Sequence, residues 1–425
     1  MKIRKLYLLT PVMKRSPLLV VFITIFIDLL GFGIIIPILP NYTKDLGATA
    51  LEVGLIAGVY SLMNFFFSPF WGTLSDRFGR KPIILISILI TASSYFLFSF
   101  SNTLALVFLS RFLAGIGSAN ISTVQACVAD ISKPENRTKM MGIIGAAFGL
   151  GFIFGPPVGG FVKHHYGIEW VGYIAMSLCI INFVMAFFLL PETIKEKNPE
   201  ASFALHPFKE LRGAFRKELI RDLFFINFLY ITAFAAMQIT IPLLWKNHYH
   251  ITDEGIGYIF MFIGIASASV QAGMIGWLNK NFGERRLLIS GAVMMMIALA
   301  LVPIAPQNLF IPMLALIIIL ISVANGCITP TLTSLISKNS AATEQGQMLG
   351  LNMSFASLAR VVGPAFGGFV YDFDFTLPYF IGAAIMMCAW IFAVRVLNLK
   401  DGAGMNNGSE KNMALDSEMI SAEAK

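Results

Sequence analysis

Charge is what this 425-residue sequence has least of: Asp, Glu, Lys and Arg make up 13% of it, against 56% hydrophobic residues. So few charges cannot cover the surface of a soluble domain of this length, which excludes a water-soluble globular protein. Cysteine is scarce too. Cys127, Cys179, Cys327 and Cys388 all fall in apolar runs, and their spacing suits neither a disulfide framework nor a metal site. The five histidines, His164, His165, His206, His248 and His250, lie between those runs, and no zinc-hydrolase helix motif or Gly-x-Ser-x-Gly nucleophile is present. A phosphate-gripping glycine loop is missing as well. These absences speak against a membrane-embedded enzyme, against ATP as a driver, and for a protein that needs no cofactor and no metal.

Apolar length is what the chain has in plenty, with 38 Phe, 21 Met and a mean hydropathy of +0.74. Twelve membrane spans are expected at about 17–40, 52–72, 82–100, 103–129, 139–162, 170–190, 222–245, 255–277, 286–303, 308–336, 347–370 and 376–399. The first run is too long for a signal-peptide core and no small-residue cleavage site follows it, so it is read as a retained span. A net charge of +7 would suit a nucleic-acid partner, but its distribution is topological. Of the 31 Lys and Arg residues, only Lys44, Lys163 and Lys246 fall in the alternate loops, and only Arg111 and Arg360 fall inside spans, with Arg395 grouped with the tail. The positive-inside rule then puts both termini in the cytoplasm of a multi-pass cell-membrane (inner or plasma membrane) protein, and nucleic acid is not expected as a partner.

The polar stretch 191–221 separates six spans from six. The expected divisions are a cytoplasmic segment 1–16, a six-helix bundle 17–190, a linker 191–221, a second bundle 222–399 and a disordered tail 400–425. The linker from His206 onward reads equally as an amphipathic helix on the inner leaflet or as a solvated connection. The halves repeat each other: "GTLSDRFGRKPIIL" from Gly72 returns as "GWLNKNFGERRLLI" from Gly276, "GPPVGGF" from Gly155 as "GPAFGGF" from Gly363, and "IIIPILP" around Pro37 as "ITIPLLW" around Pro242. Duplicated bundles of this kind suit transporters that rock two halves about a midplane site.

Asp28 raises the sharpest question. Roughly eleven residues at ~1.5 Å each put it about 16 Å into a core of ~30 Å, and a charge at that depth costs at least ~3 kcal/mol. It is the one carboxylate near mid-depth. Desolvation and a nearby cation such as Arg111 would pull its proton affinity in opposite directions, which suits a group that alternates between charged and neutral as water access changes. In such a cycle it takes a proton facing outside as substrate leaves. Facing inside it gives the proton up, and the bare carboxylate then favours a new substrate, a cationic one included. The other reading is a buried acid satisfied permanently by Arg111 or by amide side chains. Arg111 itself cannot shed its charge and must find a carboxylate, carbonyls or water. Arg360, midway along span 11, could bind an anionic group or snorkel toward the cytoplasm.

In "GTLSDRFGRKP", Gly72 and Gly79 permit close approach and a tight turn, Asp76 can accept N–H bonds at a helix N-terminus, and Arg77, Arg80 and Lys81 offer partners to Asp130. A basic turn obeying the topology rule is the plainer reading. Gly151, Gly155 and Gly159 recur every fourth residue in span 5, with Gly160 beside them, and Pro156 and Pro157 bend that helix so that it can seat against a span of the other half. Candidate lining for a cavity comes from Phe32, Tyr60, Asn64, Gln125, Asn227, Gln238, Gln271 and Asn325, although amides also serve as helix–helix glue. A pocket this apolar suits lipophilic or amphipathic small molecules better than sugars.

From Pro17 to Lys400 these motifs resemble the major facilitator superfamily, and within it the twelve-span drug/proton antiporters of the tetracycline-exporter and multidrug-exporter branch. "GTLSDRFGRKP" is similar to the superfamily's loop 2–3 signature, "LSRFLAGIGSA" from Leu109 to its span-four signature, "GLGFIFGPPVGG" from Gly149 to the span-five antiporter signature, and "FIDLLGFGIIIPILP" to the first span of that branch. The resemblance implies an all-α fold of twelve transmembrane helices in two pseudo-symmetric six-helix bundles. It implies Arg111 as the proton-coupling arginine, and Asp76, Arg80 and Asp130 as a charge cluster that locks one conformation. The expected function is a monomeric antiporter that exports drug-like compounds on the proton gradient, with a metabolite-importing symporter as the alternative. One departure stands out: spans 8 and 9 lack the intramembrane His and Asp of dedicated tetracycline exporters, which weakens tetracycline as the cargo.

Overall fold

A computed structural model describes residues 17–131, 137–194, 215, 217–340 and 345–399. The segment 1–16, most of the linker including His206, and the tail 400–425 lie outside the described residues. No strand occurs among those described. Span 1 comprises Pro17–Ile35 and Leu39–Asp45, span 2 Ala50–Phe78, span 3 Arg80–Ser99, and span 4 Leu104–Ser118 and Ile121–Ile131. Spans 5, 6 and 7 are Arg137–Tyr166, Ile168–Leu189 and Glu218–Tyr249. Span 8 is Asp253–Ser269 and Ile275–Phe282, joined through a π-helical turn, Val270–Met274. Spans 9 to 12 are Glu284–Leu301, Phe310–Lys338, Gln345–Tyr371 and Leu377–Asn398. Ten of these are long and apolar enough by themselves to cross a membrane; spans 5 and 8 complete the set.

Spans 2, 5, 7, 8 and 11 outrun the apolar windows at both ends. Hydropathy registers the lipid-facing stretch, whereas backbone hydrogen bonding continues into polar caps. Span 2 begins at Thr49 in a capping box with Glu52, and Thr252 caps span 8 through the Gly255 N–H. The repeat is visible in the turns. Gly79 (φ 113°) and Gly283 (φ 78°) reverse the chain at equivalent places after spans 2 and 8, in a conformation that side-chain-bearing residues rarely adopt. Cys388 is exposed rather than packed, unlike the other three cysteines, because its face of span 12 points outward.

One apolar core gathers residues from Val20 to Leu190, and a second gathers residues from Leu219 to Val396. The halves meet where span 2 crosses span 11 and span 5 crosses span 8. Glycines permit this: a Cβ on Gly54 would stand 2.1 Å from the Pro364 carbonyl oxygen, one on Gly368 2.0 Å from that of Ala50, and one on Gly257 2.5 Å from that of Pro156. All three contacts lie toward the end of the bundle that carries the turn at Gly47. Toward the end that carries Gly79, a Cβ at Gly149, Gly273, Gly276 or Gly350 would meet nothing within 4 Å. Among the described residues, then, the halves are closed together at the Gly47 end and parted at the Gly79 end.

Candidate transport site

Asp28 is half-buried near the middle of span 1. Its carboxylate accepts from two amides, Asn120 Nδ2 at 3.2 Å and Asn182 Nδ2 at 3.3 Å. Asn120 stands where span 4 breaks between Ser118 and Ile121, and it also donates to Ser87 Oγ at 2.8 Å. Asn182 donates in addition to the Thr24 carbonyl, while its own Oδ1 has no partner among the described residues. An amide can present either end, so the pair can donate to a carboxylate or accept from a carboxylic acid. Neither Asn120 nor Asn182 is among the cavity amides expected from the sequence. The available signal was an Asn three residues after the span-four Gly-x-Gly, at a helix break.

Arg111 is buried at 3% exposure but does not pair with Asp28; it lies against the rings of Tyr95 and Phe98, 5.8 and 5.3 Å from their centroids. Its Nε and Nη2 have no hydrogen-bond acceptor among the described residues. The expected carboxylate is turned away, toward spans 4 and 6. Tyr60 is within electrostatic reach of all three mid-depth charges, Asp28, Arg111 and Arg360. It stacks on Phe32 at 4.7 Å, and Phe32 meets Phe152 edge-on at 6.0 Å, forming an apolar aromatic wall.

The amides divide between surface and glue. Asn227 is buried and bonds Asn352 Oδ1 at 2.7 Å, joining spans 7 and 11. Asn64 donates to Ser118 at 3.1 Å, and Asn325 accepts from the Tyr230 hydroxyl at 2.8 Å. Gln125 and Gln238 are half-buried, and Gln271 is exposed on the π-helical turn, an irregularity common at functional positions.

At the Gly79 end, Arg80 is the hub. Its Nε lies 3.0 Å from Asp130, and its Nη1 2.6 Å from Asp76 and 2.7 Å from Ser75 Oγ. Arg77 stays exposed beside Phe78, and Gly72 has only Ser122 Oγ nearby. Asp76 does not cap a helix as expected, because it is held by Arg80 one turn later. Glu192, just past span 6, takes that task by accepting from the Arg80 and Lys81 N–H groups at 2.9 and 3.3 Å.

The glycine stripe of span 5 also has a different neighbour from the one expected. Gly151, Gly155 and Gly159 lie against Leu29, Gly33 and Ile34 of span 1 in the same half. The other half is met by Gly160 and by Pro156 and Pro157, through Asp253, Glu254 and Gly257 of span 8. Adjacent positions on a helix face different neighbours, so one motif serves both packings.

Ion pairs join the halves at the Gly47 end. Lys163 Nζ lies 2.9 Å from Asp253, Lys246 Nζ 3.0 Å from Asp45, and Asn41 donates to Asp253 at 3.0 Å. Asp372, past span 11, accepts from the Ala50 and Leu51 N–H groups at 2.7 and 2.8 Å and so caps span 2. Asp253 precedes the apolar stretch of span 8. Burial works to raise its pKa, but Lys163 and the bond from Asn41 outweigh this and hold it below the ordinary carboxylate value. None of Asp45, Asp253 and Asp372 stood out in the sequence, since each is an unremarkable loop acid until its partner is known.

Residues 21–277 and 223–415 match the profile of the Major Facilitator Superfamily. The chain belongs to that superfamily. It is thus a multi-pass membrane transporter of small molecules rather than an enzyme. "Multidrug resistance protein 2" of Bacillus subtilis (strain 168) is 29% identical over 387 residues, covering 88% of this chain and 93% of that protein. "Tetracycline resistance protein, class C" of Escherichia coli is 28% identical over 389 residues, with 88% and 95% covered. The crystal structure of the human organic anion transporter MFSD10 (TETRAN) superposes with a TM-score of 0.69 at 25% identity, covering 89% of this chain and 99% of that one.

Proposed function

We propose that this transporter is a proton-coupled exporter of small lipophilic or amphipathic organic compounds, working by alternating access. The single observation that carries the reading is Asp28, a titratable group deep in the bundle, half-buried and held by two reversible amide donors. Proton and substrate use the site in turn. With the halves parted at the Gly79 end, which the basic loops assign to the cytoplasm, Asp28 is ionised and substrate binds beside it. Rocking then closes that end and opens the Gly47 end, where substrate leaves and Asp28 is protonated. Arg80, Asp76, Asp130 and Glu192 brace the cytoplasmic turn, and the Lys163–Asp253 and Lys246–Asp45 pairs hold the outer end shut. The aromatic wall of Phe32, Tyr60 and Phe152 supports an apolar cargo, as do relatives named for resistance to drugs and tetracycline. The cycle needs no cofactor and no second copy.

The test is transport in everted membrane vesicles with an imposed proton gradient. Accumulation driven by acid inside the vesicle, abolished by a protonophore and lost in Asp28→Asn, is expected. Asp28→Asn vesicles that still couple transport to the gradient would end the proton assignment, and substrate movement in the same direction as protons would make the protein an importer.

A further inference from the structure

Arg360 sits midway along span 11 on a face that lipid does not reach. Gly363 and Gly367 pack against Thr232, Ala235 and Ala236 of span 7, while Val361, Pro364 and Gly368 pack against span 2. Leu358, Val362, Phe366 and Phe369 form the outward, exposed stripe. At a hundred degrees per residue, Arg360 falls between the two packed faces and opposite that stripe. It therefore projects into the space between the halves. Val361, its neighbour, meets Gly58 at the edge of the inter-half seam, beyond which the halves part.

Arg360 is exposed, and it has neither a carboxylate nor a hydrogen-bond partner among the described residues. The groups within its electrostatic reach are two tyrosines from opposite halves, Tyr60 and Tyr230. Tyr230 and Thr329 both spend their hydroxyl hydrogens on Asn325 Oδ1, at 2.8 and 3.2 Å, so neither hydroxyl hydrogen competes for an anion at Arg360. Tyr60 is also within electrostatic reach of Asp28 and of Arg111, whose Nε and Nη2 have no hydrogen-bond partner among the described residues. At mid-depth the described residues thus set two fixed positive charges against one carboxylate.

We propose that the cargo is an amphipathic monoanion, a carboxylate or sulfonate on an aromatic or aliphatic body, with its acid group gripped by Arg360 and its body laid on the Phe32–Tyr60 wall. This rests on the transport reading of the same site, and of the two charges that the sequence left open for the cargo it takes the negative one. A guanidinium fork matches such an acid group bidentately, and a cleft of one sign walled by apolar groups concentrates the opposite ion. On the loaded leg the charge sum also favours an anion, while the protonated, empty carrier returns doubly positive. With Asp28 ionised and a monoanion aboard, the four charges cancel, so the loaded carrier crosses the membrane field as a neutral core; a monocation would leave it doubly positive.

Two dyes sharing one aromatic body, one sulfonated and one carrying a quaternary ammonium, test this on the purified full-length protein. Binding is read by fluorescence anisotropy in detergent, and transport separately in proteoliposomes. The sulfonated dye is expected to bind at least tenfold more tightly than its cationic twin. Arg360→Gln should weaken the sulfonated dye at least tenfold while leaving the cationic one equal or stronger, and Arg360→Lys should fall between. Equal or better binding of the cationic dye, no binding of either, or an unchanged anion affinity in Arg360→Gln overturns the proposal. Arg360-dependent anion binding without gradient-driven transport would uphold the site and refute the proton-driven reading instead.

Discussion

Asn120, at the break in span 4, donates to Asp28 in span 1 across 3.2 Å, so the one mid-depth acid is tied to the one broken segment of its neighbour. A helix interruption leaves backbone and side-chain polar groups free at membrane depth, and here the freed amide meets the titratable group. Any change in the geometry of span 4 is thereby felt at the carboxylate.

Removing either amide should uncouple the acid. A hydrogen bond to a charged group contributes ~1.5–3 kcal/mol, so Asn120→Ala or Asn182→Ala is expected to lower gradient-driven transport about tenfold or more. In a double-mutant cycle neither should add to Asp28→Asn, because all three act through one carboxylate. Additive losses, measured as initial rates in vesicles, would separate the amides from Asp28.

The glycines of spans 2 and 5 should fail in different ways. Gly159 faces Ile34 within its own half, where a Cβ would stand 2.0 Å from a carbonyl oxygen. Gly159→Ala therefore should reduce folding yield and thermal stability. Gly54 faces Pro364 of the other half, and Gly54→Ala should leave the stability of each half intact but open the Gly47 end. Cysteine-labelling rates at Ala48→Cys, a buried position packed with Val53 and with Ile239 of the other half, together with thermal unfolding as the companion measurement, distinguish the two.

Asp372 caps a helix of the opposite half, and an N-cap of this kind contributes ~0.5–2 kcal/mol. Asp372→Ala should shift the balance away from the Gly47-closed state by roughly twofold to thirtyfold. The same labelling assay reads it, and an unchanged rate would show that the cap is dispensable.

Acid should loosen the Lys163–Asp253 latch only at low pH. Asp253 binds its proton less tightly in the closed state than when free, so protonation favours opening. The closed state keeps its full advantage above the ordinary carboxylate value of 3.8 and loses it as pH falls below that value. Between pH 5 and 8 the labelling rate at the Gly47 end is expected to be flat in an Asp28→Asn background in which His165→Asn also removes the His165–Glu254 contact between the halves. Asp253→Asn should raise it at every pH. A slope in that window would point to another group at the latch.

Twelve spans, two repeated halves and the membrane setting were legible in the residues because they rest on one-dimensional quantities: apolar run length, the spacing of turns and the recurrence of "GPxxGGF". Asp28, Arg111 and Arg360 could be placed at depth by counting along a helix. Their partners could not. Whether Arg111 meets Asp28 or the rings of Tyr95 and Phe98 depends on the rotation of span 4 and on where it breaks, neither of which has a period in the sequence. The same is true of Asp253, Asp372 and Glu192, acids in polar loops whose partners lie 90 to more than 300 residues away in the chain. Local sequence determined which segments enter the bilayer, since burial in lipid is a property of each segment alone. Only the tertiary structure decided which charges stand together and which stand unpaired, since electrostatic energy depends on distances between segments and no segment contains them.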